Sequence, residues 1–128
     1  RDGNVRLVYR EWPILSDGSV FAAKAALAAR KQGQYEEMHW ALMSSSRATE
    51  ESTLKVAEKL QLDIDKLRAD MQAPEVEAHI ALSMELARGL GINGTPTFLI
   101  GKNLAPGLIP LERLLSMVAE ARAEAAKQ

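Results

Sequence analysis

Between Gly91 and Gly101 the chain reads Gly-Ile-Asn-Gly-Thr-Pro-Thr-Phe-Leu-Ile-Gly. A turn-rich junction, Ile92-Asn93-Gly94-Thr95-Pro96, runs straight into the apolar tetrapeptide Thr97-Phe98-Leu99-Ile100. An apolar run this short, held between breakers, suits a buried strand and is too brief for a helix. Buried strand amides need a ladder, so this strand must find partners. Gly101-Lys102-Asn103 reads as a hairpin turn, with a second strand from Leu104 that Pro106-Gly107 interrupts early.

A second strand signal lies at the start. Val5, Leu7 and Tyr9 alternate with Arg6, Val8 and Arg10, a period of two. Asp2-Gly3-Asn4 is a turn leading in, and Pro13 ends the run because it has no amide hydrogen for a ladder.

The residues between the two signals have helical character. Asp17 or Ser19 caps a helix running to Lys31, with Gly33 as its stop. A shorter one follows, with Tyr35, Met38, Leu42 and Met43 on one face. Thr49, followed by Glu50 and Glu51, starts a third that buries Leu54, Ala57 and Leu60. Asp63 caps a fourth carrying Ile64, Leu67 and Met71. Pro74 opens a fifth with Val76, Ile80 and Ala87 on one side and Leu82, Leu86 and Leu90 nearby; Gly89 or Gly91 stops it. After the strand pair, Pro110 opens a last helix with Leu111, Leu114, Leu115 and Val118 inward, and its tail from Glu120 to Gln128 frays. Strand, five helices, two strands and a helix indicate an α/β or α+β layer structure.

The 128 residues suit one domain, and 47% hydrophobic with 26% charged residues is an ordinary globular balance. A formal net charge of -1, with dispersed Lys and Arg, gives no field for nucleic acid. No apolar run approaches the length of a membrane span. There is no cysteine, which removes disulfides, thiolate metal sites and cysteine nucleophiles from these residues. The sequence starts at Arg1 with no signal-peptide pattern, which reads as a processed, cleaved or cloned start.

These pieces resemble one family. Val5 to Leu15, followed by Ser19-Val20-Phe21-Ala22-Ala23, is similar to the second core strand and first inserted helix of DsbA-like thioredoxin-fold thiol–disulfide oxidoreductases. Gly91 to Gly101 resembles their cis-proline loop and following strand, the most specific part of the likeness. Pro106-Gly107 with Leu111-Glu112 resembles the junction into their last helix. The resemblance implies an α/β, thioredoxin-like (DsbA-type) sheet with an inserted helical subdomain: one domain over 1–128, with 1–15 and 91–128 as core and 16–90 as the helical insertion. The family's Cys-x-x-Cys helix and the strand before it would precede Arg1, so the first core βα unit is absent and no residue here is a catalytic thiol. Without that strand, Val5–Arg10 and Thr97–Ile100 lack a common neighbour, at about 1–3 kcal/mol per unsatisfied buried group. An amino-terminal fragment, a segment from another copy or residues ahead of Arg1 would supply it; a rearranged sheet is the other escape.

By the same resemblance, Gly94, Thr95 and Pro96 form a substrate-binding loop, with the Thr95 backbone pairing an extended cysteine-containing polypeptide as an added strand. Read from spacing alone, Thr95-Pro96 is equally a trans turn entering an edge strand. Gly91 and Gly94 serve backbone geometry. His39 and His79 read as packed or capping residues, and their spacing fits no metal site. A buried Glu11 beside a redox cysteine would tune proton transfer, but its position alone does not turn it toward the site. Capping explains Asp63 and solvent explains Asp65. Met38, Met43, Met71, Met84 and Met117 read as core, with some lining a peptide groove. The resemblance calls for no cofactor, allows a redox partner protein, and implies the periplasm or cell envelope. Two other readings stand beside it: a cysteine-free peptide-binding or chaperone module, and a glutathione-dependent kappa-like isomerase or transferase in which serine replaces cysteine. Pro96→Ala peptide binding would test the first and glutathione affinity the second.

Overall fold

The computed structural model describes residues 3–128. The elements run α1 (Asp17–Ala29), a 3-10 turn (Arg30–Gln32), α2 (Tyr35–Met43), α3 (Glu50–Lys59), α4 (Ile64–Asp70), α5 (Pro74–Gly89), β1 (Thr97–Ile100), β2 (Asn103–Pro106) and α6 (Leu111–Ala125). They divide into two compact units, Arg1–Glu85 and Leu86–Gln128, with the boundary inside α5.

The first unit is built on α1. Ser16 caps it, its side chain accepting from the Ser19 amide at 3.2 Å. The cap is therefore one residue ahead of the expected Asp17 or Ser19; Asp17 instead stands in the first turn, where its charge suits the helix dipole. Ala25, Ala26, Ala28 and Ala29 are all buried. Methyl-sized side chains let backbones approach closely, and α1 lies against α2, α3 and α4. Met38, Ala57, Leu62, Leu67 and Met71 complete this core. Gly18 shows how close the approach is: a Cβ there would stand 2.0 Å from the Ala48 carbonyl oxygen.

Thr49 and Asp63 cap α3 and α4 as their positions predict, and Ser52 returns the bond to the Thr49 amide in a capping box. Gln32 acts as a miniature strand, donating to the Asp63 carbonyl at 3.0 Å and accepting from the Asp63 amide at 2.9 Å. Met43 departs from the expected inward face of α2 and is 61% exposed. Met84 is also exposed, while Met38, Met71 and Met117 are core.

Val5–Arg10 corrects the strand expectation. The segment joins no ladder, and Val5, Leu7 and Val8 are more than half exposed. Alternation supplies a strand's side-chain pattern, but the ladder itself requires a neighbouring strand. Side chains hold its end instead: Pro13 is buried, and Arg10 donates to the His79 carbonyl on α5 at 3.3 Å.

In the second unit, β1 and β2 form an antiparallel hairpin with Thr97 opposite Pro106 and Ile100 opposite Asn103. β2 thus begins one residue earlier than expected. Gly101 turns at φ +62°, and a Cβ there would stand 3.0 Å from Cβ of Ala121 on α6. Ala105 and Met117 are the buried residues of this pairing. Leu114 and Val118 are half-buried, but Leu111 and Leu115 are 65% and 60% exposed, contrary to the inward expectation. A two-stranded hairpin covers only a narrow stripe of a helix. The tail does not fray where expected, since α6 continues to Ala125.

Candidate functional site: a proline loop and a separate carboxylate cluster

The Thr95–Pro96 peptide is cis, and both residues are exposed. The Thr97 hydroxyl donates to the Gly94 carbonyl at 2.8 Å and closes the loop. The Gly107 amide donates to the Pro96 carbonyl at 2.8 Å, which extends the hairpin register back to the loop. Paired groups in an antiparallel ladder alternate, so they fall at Phe98–Ala105 and Ile100–Asn103. The backbone groups of Thr97 and Leu99 therefore face away from β2, and no ladder takes them among the described residues. No hydrogen bond among the described residues engages Thr95 either. Thr95 and the outer edge of β1 thus form a short row of open donors and acceptors. The outer edge of β2 is blunted, because Pro106 brings no N–H there.

Gly91 has φ +67° and fits the backbone role expected of it. Gly94 does not: its φ lies outside the left-handed region, and nothing stands near the place a Cβ would take. Its contribution to the loop is the carbonyl that Thr97 holds.

The first unit carries a polar cluster that the sequence did not join. One oxygen of Glu11, Oε1, accepts from Tyr35 Oη at 2.6 Å and from His39 Nδ1 at 2.7 Å. The Glu11 and His39 side chains are only 12% and 13% exposed. The Tyr9 ring lies 4.7 Å from the His39 ring, and Trp40 meets His39 edge-on at 5.5 Å. Burial, then the bond to Glu11 and its charge, hold the Tyr35 phenol far above its ordinary pKa. Glu11 is thus committed to α2. His39 is packed, as expected, but with a carboxylate partner 28 residues away.

His79 is packed too. Its Nε2 is buried without a hydrogen-bond partner. Burial and the nearby Arg10 charge lower its pKa, and Glu11 opposes them in part. Asp63 caps α4 through Oδ1, which accepts from the Lys66 amide at 3.0 Å, and Asp65 is exposed. No cluster of three or more potential metal ligands occurs among the described residues.

A two-stranded hairpin led by an exposed cis-proline loop, backed by α6 and preceded by a run of helices, defines a thioredoxin-like DsbA fold. The DSBA-like thioredoxin domain matches residues 4–119, and the chain belongs to that family of thioredoxin-fold thiol–disulfide oxidoreductases. It is similar to a thioredoxin-like oxidoreductase from Silicibacter pomeroyi, with 56% identity and a TM-score of 0.92 over 95% of this chain and 71% of that one. It is also similar to the thiol-disulfide exchange protein alpha-DsbA2 from Wolbachia pipientis, with 33% identity and a TM-score of 0.81 over 88% of this chain and 63% of that one. It is 32% identical over 125 residues to a Na(+)/H(+) antiporter, NhaA 3, from Salinispora tropica. The match takes in 95% of this chain and 19% of that protein, so the chain spans about a fifth of the curated relative. No helix among the described residues is long and apolar enough to cross a membrane. With no cysteine in the sequence, these residues lack the family's redox pair.

Proposed function

We propose that this chain is the substrate-cradling part of a thiol–disulfide oxidoreductase of the periplasm or cell envelope, with the redox cysteines carried by a segment outside these residues. The cradle is Gly94, Thr95 and Pro96, and its substrates are extended cysteine-containing polypeptides. The observation that carries this reading is the open row of backbone groups at Thr95, Thr97 and Leu99 in a family member with no cysteine. An extended peptide laid along Thr95 would gain main-chain hydrogen bonds without any side-chain code, which suits an enzyme acting on many substrates. The family's first core strand, from an amino-terminal fragment or another copy, would take the edge at Thr97 and Leu99. In this reading residues 16–90 are the helical insertion, and 1–15 with 91–128 the thioredoxin-like core.

In the complete enzyme a thiolate attacks a disulfide sulfur, one S–S bond forms as another breaks, and the leaving sulfur departs as thiolate. These residues do not supply sulfur. Their part is to hold the polypeptide extended so that its sulfur is presented at a fixed distance and angle.

The test is amide NMR during titration with an extended cysteine-containing peptide. The amides of Gly94, Thr95 and Thr97 should shift most, and the cysteine-free chain should show neither oxidase nor reductase activity. Peptide binding that leaves 94–97 unmoved would overturn the reading. The absence of cysteine also favours a second one, a peptide-binding or chaperone module that never had a redox pair; it predicts the same shifts and no gain of activity when a Cys-x-x-Cys segment is supplied.

A further inference from the structure

The cluster around Glu11 offers a group that packing alone does not use. An ionised carboxylate only accepts, so the 2.7 Å contact makes His39 Nδ1 the donor. A neutral imidazole that donates through Nδ1 must present Nε2 as an acceptor. That Nε2 has no partner among the described residues, yet it is not sealed from solvent as His79 Nε2 is. The adjoining Trp40 ring is 52% exposed, and Tyr9 packs against both rings. A fixed acceptor beside a half-exposed aromatic plate suits a polypeptide, which brings N–H donors and apolar side chains together.

We propose that Glu11 is a positioning residue that holds His39 in the Nδ1–H form, so that Nε2 accepts a hydrogen bond from a bound polypeptide resting on Trp40. The proposal rests on the polypeptide-substrate reading and concerns a contact on α2 within the first unit. The two tyrosine contacts reinforce it: Tyr35 shares Glu11 Oε1 and fixes the carboxylate, and the Tyr9 ring fixes the imidazole plane. With the tautomer and the ring both set beforehand, little ordering remains to be done on binding.

Histidine side-chain 15N NMR on the full 128-residue chain, with the same extended peptide as probe, tests this directly. Free His39 should show the Nδ1–H form, and in E11Q the Nε2–H form should appear, because an amide both donates and accepts. Added peptide should move the His39 Nε2 resonance, and W40A should weaken binding about tenfold. Trp40 is half-exposed, so W40A should keep its fold and remain informative if His39 variants do not. A wild-type His39 in the Nε2–H or the doubly protonated form overturns the proposal. So does peptide binding that shifts the amides of Gly94, Thr95 and Thr97 while His39 stays still and W40A binds as wild type; that result leaves the cradle reading standing. Shifts at His39 without shifts at 94–97 support the α2 contact and count against the cradle. No binding at either place overturns both.

Discussion

Removing the Tyr35 hydroxyl asks how much of the first unit's stability rests on a single carboxylate oxygen. The bond to Glu11 Oε1 is short, 2.6 Å, and goes to a charged acceptor that is only 12% exposed. A hydrogen bond to a charged group contributes about 1.5–3 kcal/mol. Tyr35 is half-buried, and water reaches part of the ring, so Tyr35→Phe should cost about 1.5 kcal/mol, at the lower end of that range. Glu11→Gln keeps the shape and loses the charge, and should cost a similar amount through both bonds it weakens. Because the two residues share one bond, the double variant should cost less than the sum by about 1 kcal/mol. Urea unfolding followed by tryptophan fluorescence reads this in the right place, since Trp12 and Trp40 both belong to the first unit. Additivity within about 0.5 kcal/mol would mean that the oxygen does not couple these side chains, and would refute the reasoning.

Other consequences follow from single contacts. Gly18→Ala puts a methyl 2.0 Å from a backbone oxygen, so α1 or residue 48 must shift, and urea unfolding should show a loss of about 1–3 kcal/mol. Thr49→Ala removes the cap and half of the capping box of α3 and should cost about 0.5–2 kcal/mol by the same assay, with Thr49→Ser largely neutral. Thr97→Val removes the bond that closes the proline loop at 2.8 Å; backbone order parameters at the Gly94 and Thr95 amides should fall while those of α6 are unaffected. His79 has a lowered folded-state pKa, so below its ordinary pKa of about 6.5 the unfolded chain binds the extra proton first. The contribution from keeping His79 neutral is therefore complete above that pH and declines as pH falls through it. His79→Gln should flatten the acid side of the stability profile below about pH 6.5, and an unchanged slope would show that another group carries it.

Local chemistry was legible in the sequence, and partnership was not. Thr49, Asp63, Pro74 and Gly33 each act within a turn of their own position, and each appears where its side chain or backbone preference puts it. Ser16 was missed because three candidates stand within four residues and only the backbone turn selects among them. Val5–Arg10 has the alternation of a strand, but a ladder is a property of two segments, and no other segment among the described residues pairs with it. Leu111 and Leu115 are exposed for a related reason: their helix is backed by a sheet of two strands. The proline loop was legible through its resemblance. The cluster of Glu11, Tyr35 and His39 was not, because its members lie 24 and 28 residues apart and nothing local joins them.

The proposed division of labour, with the grip here and the sulfur elsewhere, is tested most directly by joining a family βα segment that bears Cys-x-x-Cys ahead of Arg1. Disulfide exchange on a cysteine-containing peptide should appear only in the joined protein and should weaken with Thr97→Val. A correctly folded joined protein without exchange activity, or exchange of undiminished strength in the variant, would contradict it.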